Sequence, residues 1–266
     1  MTAIEHGVIN AEEILQLCER SFIESAEHHE DLDSTNTRAL ALISDIAPPS
    51  GAHLIYTEQQ LAGRGRQGNH WFSAPGSLTF SLIINRTSLD LPAEKVPLMG
   101  LAAGVAVLEA GKHFLPQGEF GLKWPNDVFL NGRKVAGILM EAPAKTDCVV
   151  LGIGVNVNNK FENGEAQLAK RGIALSAVAT EPLDRLSFLD YLLIQLGLQL
   201  GQLAGSETVH DTWNQHCLLS DRTVTIRLGK GELSGCCRGI DSEGRLLLEQ
   251  EDGVEALATG EVIAWD

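Results

Sequence analysis

The run from Gln60 to Phe72 restricts the fold more than any other stretch: Gln60-Leu61-Ala62-Gly63-Arg64-Gly65-Arg66-Gln67-Gly68-Asn69-His70-Trp71-Phe72. Gly63 to Gly68 spells G-x-G-x-x-G, which in a dinucleotide-binding fold sits between a strand and the first turn of a helix. A strand can precede it, over His53 to Thr57. The next residues are Asn69-His70-Trp71-Phe72-Ser73-Ala74-Pro75-Gly76, an aromatic pair running into a Pro-Gly turn. No helix opens there, which argues against a doubly wound nicotinamide or flavin fold. The stretch reads instead as a loop over an anion. Its glycines allow positive φ and close backbone approach, and successive N–H groups can form a concave anion site. Its two arginines offer planar forks for carboxylate or phosphate oxygens. A flexible surface loop would account for the glycines but not for two regularly spaced arginines beside Trp71.

At 266 residues the chain is long enough for one large domain, or a large one with a small companion, and 44% hydrophobic content can fill a core. No apolar run reaches the length of a membrane span. Met1 to Asn10 shows no basic segment followed by an apolar one, so no secretory leader is expected. The five cysteines are odd in number and scattered, and Cys236-Cys237 lacks metal-ligand spacing. This usage suits a reduced, cytoplasmic setting, with no metal ligands identified. The formal net charge of −15 argues against a protein that coats nucleic acid, while leaving room for a local basic site.

Along the chain, residues 10 to 22 read as a short amphipathic helix capped by Asn10. Asp33-Ser34-Thr35-Asn36-Thr37 precedes a helical run from Arg38 to Ile43 and serves as its cap, with four polar groups that could also reach a ligand. Pro48-Pro49-Ser50-Gly51 is a turn, and Ser77 to Ile84 is a strand. Pro92 to Phe114 is a long helix whose small residues suit close packing on a sheet. Lys123 and Asp127 flank a turn at Pro125-Asn126, and Asn131-Gly132 is a hairpin signal. Lys134 enters an otherwise apolar strand in which Gly137 marks a close approach. In the strand from Cys148 to Asn158, Gly152 and Gly154 leave a groove free of side chains, and Asn156 shares their parity and could read a heterocycle edge. Sheet curvature explains those glycines equally well. Asn159 to Gly172 reads as a mobile loop, Leu186 to Leu203 as an apolar helix, and residues 206 to 217 as the last helix of the main domain. From Asp221 short alternating strands (Thr223 to Leu228, Glu232 to Arg238, Arg245 to Glu249, Val254 to Ala258) form a small barrel or meander.

Assembled in order, these stretches resemble the biotin–protein ligases. The likeness rests on Asp33-Ser34-Thr35-Asn36, on Gln60 with Gly63 to Gly68 and Trp71, and on Lys123-Trp124-Pro125-Asn126-Asp127. Lys134-Val135-Ala136-Gly137-Ile138 and Gly152 to Asn158 continue it, with Arg238-Gly239-Ile240-Asp241 and Gly260-Glu261-Val262 in the tail. The resemblance implies an α+β fold: a mixed sheet with helices on one side, related to class II aminoacyl-tRNA synthetases, followed by an SH3-like β-barrel. It divides the chain into an extension over residues 1–30, a catalytic domain over 31–218 and a barrel over 219–266.

It also implies the chemistry. Biotin and ATP would give biotinyl-5′-adenylate, with Mg²⁺ travelling with the nucleotide, and a lysine of the biotin carboxyl carrier protein of acetyl-CoA carboxylase would take the biotinyl group. By the same resemblance Ser34, Thr35, Asn36 and Gln60 would bind biotin's ureido end, with Gly63, Arg64, Gly65, Arg66, Gly137 and Gly154 around it. Arg64 and Arg66 would order the loop over biotin and the phosphates, and Trp71 and Asn156 would contact adenine. Lys123 would meet the biotin carboxylate, Lys134 the ATP phosphates, and Asp127 would assist the incoming lysine or the magnesium. Asn69 stands where many relatives carry an arginine, and Arg171-Gly172-Ile173 holds no aromatic residue where some relatives do. Residues 1–30 are too short for a DNA-binding module, so the expectation is a ligase with no repressor function and no DNA or membrane partner. Sheet-edge homodimers occur in the family, and the sequence leaves the oligomeric state open. A lipoate–protein ligase is the sister activity, against which the Gly-Arg-Gly-Arg and Lys-Trp-Pro-Asn-Asp pair argues. A biotin sensor is the non-enzymatic alternative, and Lys123 with Lys134 favours catalysis over it.

Overall fold

Strands β2 (Ala52–Gln60), β3 (Leu78–Asn85) and β7 (Cys148–Val155) are buried along nearly their whole length. Such strands need cover on both faces. Alternate residues of each strand divide between two cores. Leu54, Leu82 and Leu151 join the large one, while Ile55, Ile83 and Val150 pack with Ala39 and Leu42 of α2 (Thr35–Leu42). The opposite face carries α3 (Leu98–Phe114), α4 (Arg185–Ala204) and α5 (Val209–Gln215). Helices therefore cover both sides of the sheet, which corrects the expectation of helices on one side. The computed structural model describes residues 7–45, 47–161, 170–204 and 209–266.

The main sheet has seven strands in the order β1-β2-β3-β7-β6-β5-β4, with β4 (Phe120–Lys123), β5 (Asp127–Leu130) and β6 (Arg133–Glu141) completing it. It is mixed because β1 (Ile23–Leu32) runs parallel to β2 while the remaining pairs are antiparallel. β1 is absent from the expectations. Its sequence, Ile-Glu-Ser-Ala-Glu-His-His-Glu-Asp-Leu, is largely polar, as suits an edge strand that faces water. The expected helix over residues 10–22 ends at Leu17 instead, as α1 (Ala11–Leu17), with a capping box between Asn10 and Glu13. The division expected at residue 30 thus runs through a strand of the main sheet.

α3 begins at Leu98 rather than Pro92, after a 3-10 turn at Ala93–Lys95. Two of its small residues accept aromatic rings. A Cβ at Gly104 would lie 2.9 Å from Trp213, and one at Gly111 would lie 2.4 Å from Phe120. The stretch read as a mobile loop, Asn159 to Gly172, has residues 162–169 outside those described, and the last expected helix is described only from Val209.

The C-terminal part forms a separate five-stranded antiparallel sheet, β11-β10-β9-β8-β12. Its strands are β8 (Thr223–Leu228), β9 (Gly231–Ile240), β10 (Leu246–Gln250), β11 (Gly253–Leu257) and β12 (Glu261–Trp265). Four of these match the expected meander, and β12 adds a fifth. Specific bonds tie this part to the main domain. Asn214 donates from Nδ2 to the Ile240 carbonyl at 2.9 Å and accepts from Ile240 N at 2.8 Å, and Trp124 Nε1 donates to the Gly244 carbonyl at 3.0 Å. Among the described residues no helix is long and apolar enough to cross a membrane.

Candidate active site

A cavity of about 150 Å³ opens where the first turn of α2, the glycine-arginine loop, the turn after β4 and strand β12 converge. Its floor is β3, β6 and β7.

One end is neutral. The Gln60 carboxamide oxygen accepts from Thr35 N at 2.8 Å and from Thr35 Oγ1 at 3.1 Å. Those two donors orient the Gln60 amide with its oxygen on Thr35, so its NH₂ lies on the other side, beside Gly63. Ser81 Oγ lies 2.7 Å from Thr35 Oγ1 and 2.6 Å from Asn36 Oδ1. Asn36 spends both amide hydrogens on β6, on the Leu139 carbonyl at 3.1 Å and on Glu141 Oε2 at 2.8 Å. Ser34 forms no cap bond for α2, and the helix begins at Thr35. The polar run therefore builds the cavity wall more than it caps a helix. Thr35, Asn36 and Gln60 are buried, and these mutual bonds make that burial tolerable.

The glycine-arginine loop is a closed turn. Trp71 N donates to the Gly63 carbonyl at 2.9 Å, Gly65 N to Asn69 O at 2.7 Å and Asn69 N to Arg66 O at 3.0 Å. The N–H groups of Gly65, Asn69 and Trp71 are thereby taken within the loop. Only Gly68 among its glycines has positive φ, next to Gln67. Gly63 is needed for a different reason, since a Cβ there would lie 2.3 Å from the Trp71 carbonyl oxygen.

The groove expected over Gly152 and Gly154 is filled by the protein's own side chains. A Cβ at Gly152 would meet Asn36 Oδ1 at 2.0 Å, and one at Gly154 would meet the Trp71 ring at 2.3 Å. Gly137 gives room to the same tryptophan and to Lys134. These glycines seat side chains that shape the cavity.

The other end is cationic. Arg66, Lys123 and Lys134 converge there with Asp127. Lys134 Nζ pairs with Asp127 Oδ1 at 2.6 Å. Arg66 reaches Asn126 Oδ1 at 3.5 Å, and Asn126 is itself fixed to Ile138 through its Nδ2 at 2.7 Å and its carbonyl at 3.0 Å. The Trp124–Pro125 peptide at the turn is cis. Burial lowers the pKa of both Lys123 and Arg66, because desolvation penalises a cation. Arg64 points elsewhere, to Glu141 Oε1 at 2.7 Å and Thr37 Oγ1 at 3.3 Å.

Of the residues singled out in the sequence, Ser34, Thr35, Asn36, Gln60, Arg64, Gly65, Arg66 and Trp71 line this cavity, as do Lys123, Asp127, Lys134, Gly137 and Gly154. Gly63 and Asn156 do not. Asn156 is buried and accepts from Asn159 Nδ2 at 3.1 Å. The sequence assigned no individual role to Ser81, Glu141, Asn126, Glu261 or Val262. Asn126, Glu261 and Val262 fall inside motifs already marked, whereas Ser81 and Glu141 sit in ordinary strands and carry no local signal.

Residues 30–158 match the family model described as the biotin/lipoate A/B protein ligase family, and residues 219–265 match the biotin protein ligase C terminal domain. The chain is 31% identical over 240 residues to the bifunctional ligase/repressor BirA of Bacillus subtilis, covering 88% of this chain and 72% of the relative. It is 30% identical over 237 residues to the biotin--[acetyl-CoA-carboxylase] ligase of Paracoccus denitrificans, covering 86% and 96%. Among solved structures, the biotin protein ligase from Aquifex aeolicus in complex with biotin and ATP superposes with a TM-score of 0.76 at 26% identity, covering 91% of this chain and 99% of that one.

Proposed function

The chain belongs to the biotin protein ligase family and is a biotin ligase, and from that premise we propose that it attaches biotin to a lysine of the biotin carboxyl carrier protein of acetyl-CoA carboxylase through biotinyl-5′-adenylate. The observation that carries this is the pairing of two chemically opposite ends in one cavity. A bicyclic urea needs neutral donors and acceptors, and a carboxylate reacting with a triphosphate needs cations.

At the neutral end, the Gln60 amide hydrogens and the Thr35–Ser81 hydroxyls would hold the ureido group. At the cationic end, Lys123 and Arg66 would bring the biotin carboxylate against the α-phosphate despite their mutual repulsion, and Lys134 would hold phosphate oxygens. Such preorganised charges stabilise the transition state with little reorganisation. A carboxylate oxygen then bonds the α-phosphorus and pyrophosphate leaves with its bonding pair. In the second step the acceptor amine bonds the acyl carbon, AMP leaves, and Asp127 would receive the amine's proton. Trp71, wedged over Gly154, would give adenine a flat surface.

Among the described residues no cluster of three metal-ligating side chains occurs. Asp127 and Glu261 at the cavity suit a magnesium ion carried in by the nucleotide and held by one or two carboxylates beside phosphate oxygens. Bound there, it would neutralise phosphate charge.

The test is ATP–pyrophosphate exchange with biotin, run in parallel with lipoate. Exchange with biotin is expected; exchange with lipoate alone would overturn the proposal. Mass spectrometry of the carrier domain incubated with enzyme, biotin and ATP then reads the transfer step.

A further inference from the structure

The Lys123 ammonium is held by two groups that carry no charge. Its Nζ donates to the Val262 carbonyl oxygen at 3.0 Å and lies 4.3 Å from the centre of the Trp265 ring. Both partners belong to β12, in the other sheet. Lys134, by contrast, is already neutralised by Asp127. Among the described residues no carboxylate comes within ion-pair distance of Lys123. The charged groups that bear on it are Asp127 and Glu261, which favour its charged form, and Lys134 and Arg171, which oppose it.

The chemistry of those neutral partners matters. A carbonyl oxygen and an aromatic face both favour a cation, and neither cancels its charge. A carboxylate partner would have to be displaced by an anionic substrate, whereas a carbonyl and a ring need not be. The geometry that presents them is specific. The β12–β8 register shifts between Val262 and Ala264, a bulge of the kind that re-aims side chains beside active sites. The Trp265 ring stands edge-on to Phe129 at 6.2 Å and 82°, yet it stays 36% exposed, so core packing does not explain it.

We propose that Trp265 is a positioning residue which, with the Val262 carbonyl, fixes the Lys123 ammonium uncompensated and ready for the substrate carboxylate, making β12 a working wall of the active site. As far as the carboxylate is biotin's, this rests on the function proposed above.

Two substitutions and two readouts test it. Trp265→Leu keeps an apolar side chain against Phe129 and removes the π face; Trp265→Phe keeps a π face. Calorimetry of the leucine variant should show biotin binding weakened about fivefold, with ATP binding and Tm unchanged, and phenylalanine should restore it to within about twofold. An unaltered biotin affinity in the leucine variant, or an equal loss of biotin and ATP affinity with a lower Tm, would overturn the proposal. The second readout needs no substrate. Trace acetylation with acetic anhydride, read by peptide mass spectrometry, compares Lys123 with Lys134 as internal reference. Removing the ring should raise the Lys123-to-Lys134 labelling ratio about fivefold. An unchanged ratio overturns the positioning role whatever the substrate. A raised ratio in a protein that binds no biotin supports the positioning role and sinks the function proposal instead.

Discussion

At the Thr35 end of the cavity the polar side chains satisfy one another, whereas at the Lys123 end cations outnumber the carboxylates that face them. Thr35, Gln60, Ser81, Asn36 and Glu141 form one continuous chain of hydrogen bonds. Three cations, Arg66, Lys123 and Lys134, share the other end with Asp127 and Glu261, and Glu261 also reaches Arg227 at 3.3 Å. This positive excess sits in a protein of formal charge −15. The difference separates recognition from reaction. A network fixed by its own mutual bonds, with the Gln60 amide hydrogens left over, holds a fixed shape and selects a neutral ring. An unsaturated cationic cluster, partly removed from water, keeps its attraction for an anion that arrives later.

Lys123→Gln attacks the reactive end where the contrast is greatest. Biotin-dependent pyrophosphate exchange should fall about 10²–10³-fold in rate, the usual effect of removing one preorganised charge or donor at a reacting oxygen. A loss under tenfold would show that the reaction is not centred there. Arg66→Gly should come next. Formation of the adenylate should persist, while its release, tracked by rapid filtration of labelled adenylate, should quicken about tenfold or more as a charge-assisted contact is lost. Unchanged retention would count against Arg66 as the closure.

Gly152→Ala strikes the neutral end alone. The new Cβ would sit 2.0 Å from Asn36 Oδ1 and push the network out of register. Overpacking of this kind costs about 1–3 kcal/mol, so a melting scan should show Tm lowered by several degrees, on the order of 2–4 °C per kcal/mol. Biotin affinity should fall with it while ATP affinity holds; equal losses of both would blur the division between the two ends. The mildest change is Asn69→Arg, which adds a cation at the loop. Adenylate retention should lengthen by about twofold, as expected of an exposed charge pair.

Much of this site was legible because its parts are local. The turn at Pro125-Asn126, the glycine-arginine loop and the need for glycine at 152 and 154 all announce themselves within a few residues. Their purpose was less legible. Gly152 and Gly154 read as an open groove, yet Asn36 and Trp71 fill it, and no spacing rule reveals what a missing Cβ makes room for. Asn156 shares strand parity with Gly154, but it lies beyond the end of β7 and turns to Asn159 instead. β1 escaped notice because a polar edge strand is defined by its neighbour, and that neighbour, β2, lies beyond α2 in the chain.

By itself, then, the sequence determined which functional groups exist, in what order, and which local turns carry them, since backbone sterics and side-chain chemistry act over a few residues. Only the tertiary structure decided which groups meet. Lys123 and Val262 stand 139 residues apart and are joined by one hydrogen bond, because sheet order and the seam between the two sheets bring β4 and β12 together. The same holds for the glycine-arginine loop. Read alone it is an anion cradle; folded, it closes on itself through the N–H groups of Gly65, Asn69 and Trp71 and contributes a half-buried guanidinium and a tryptophan wedge.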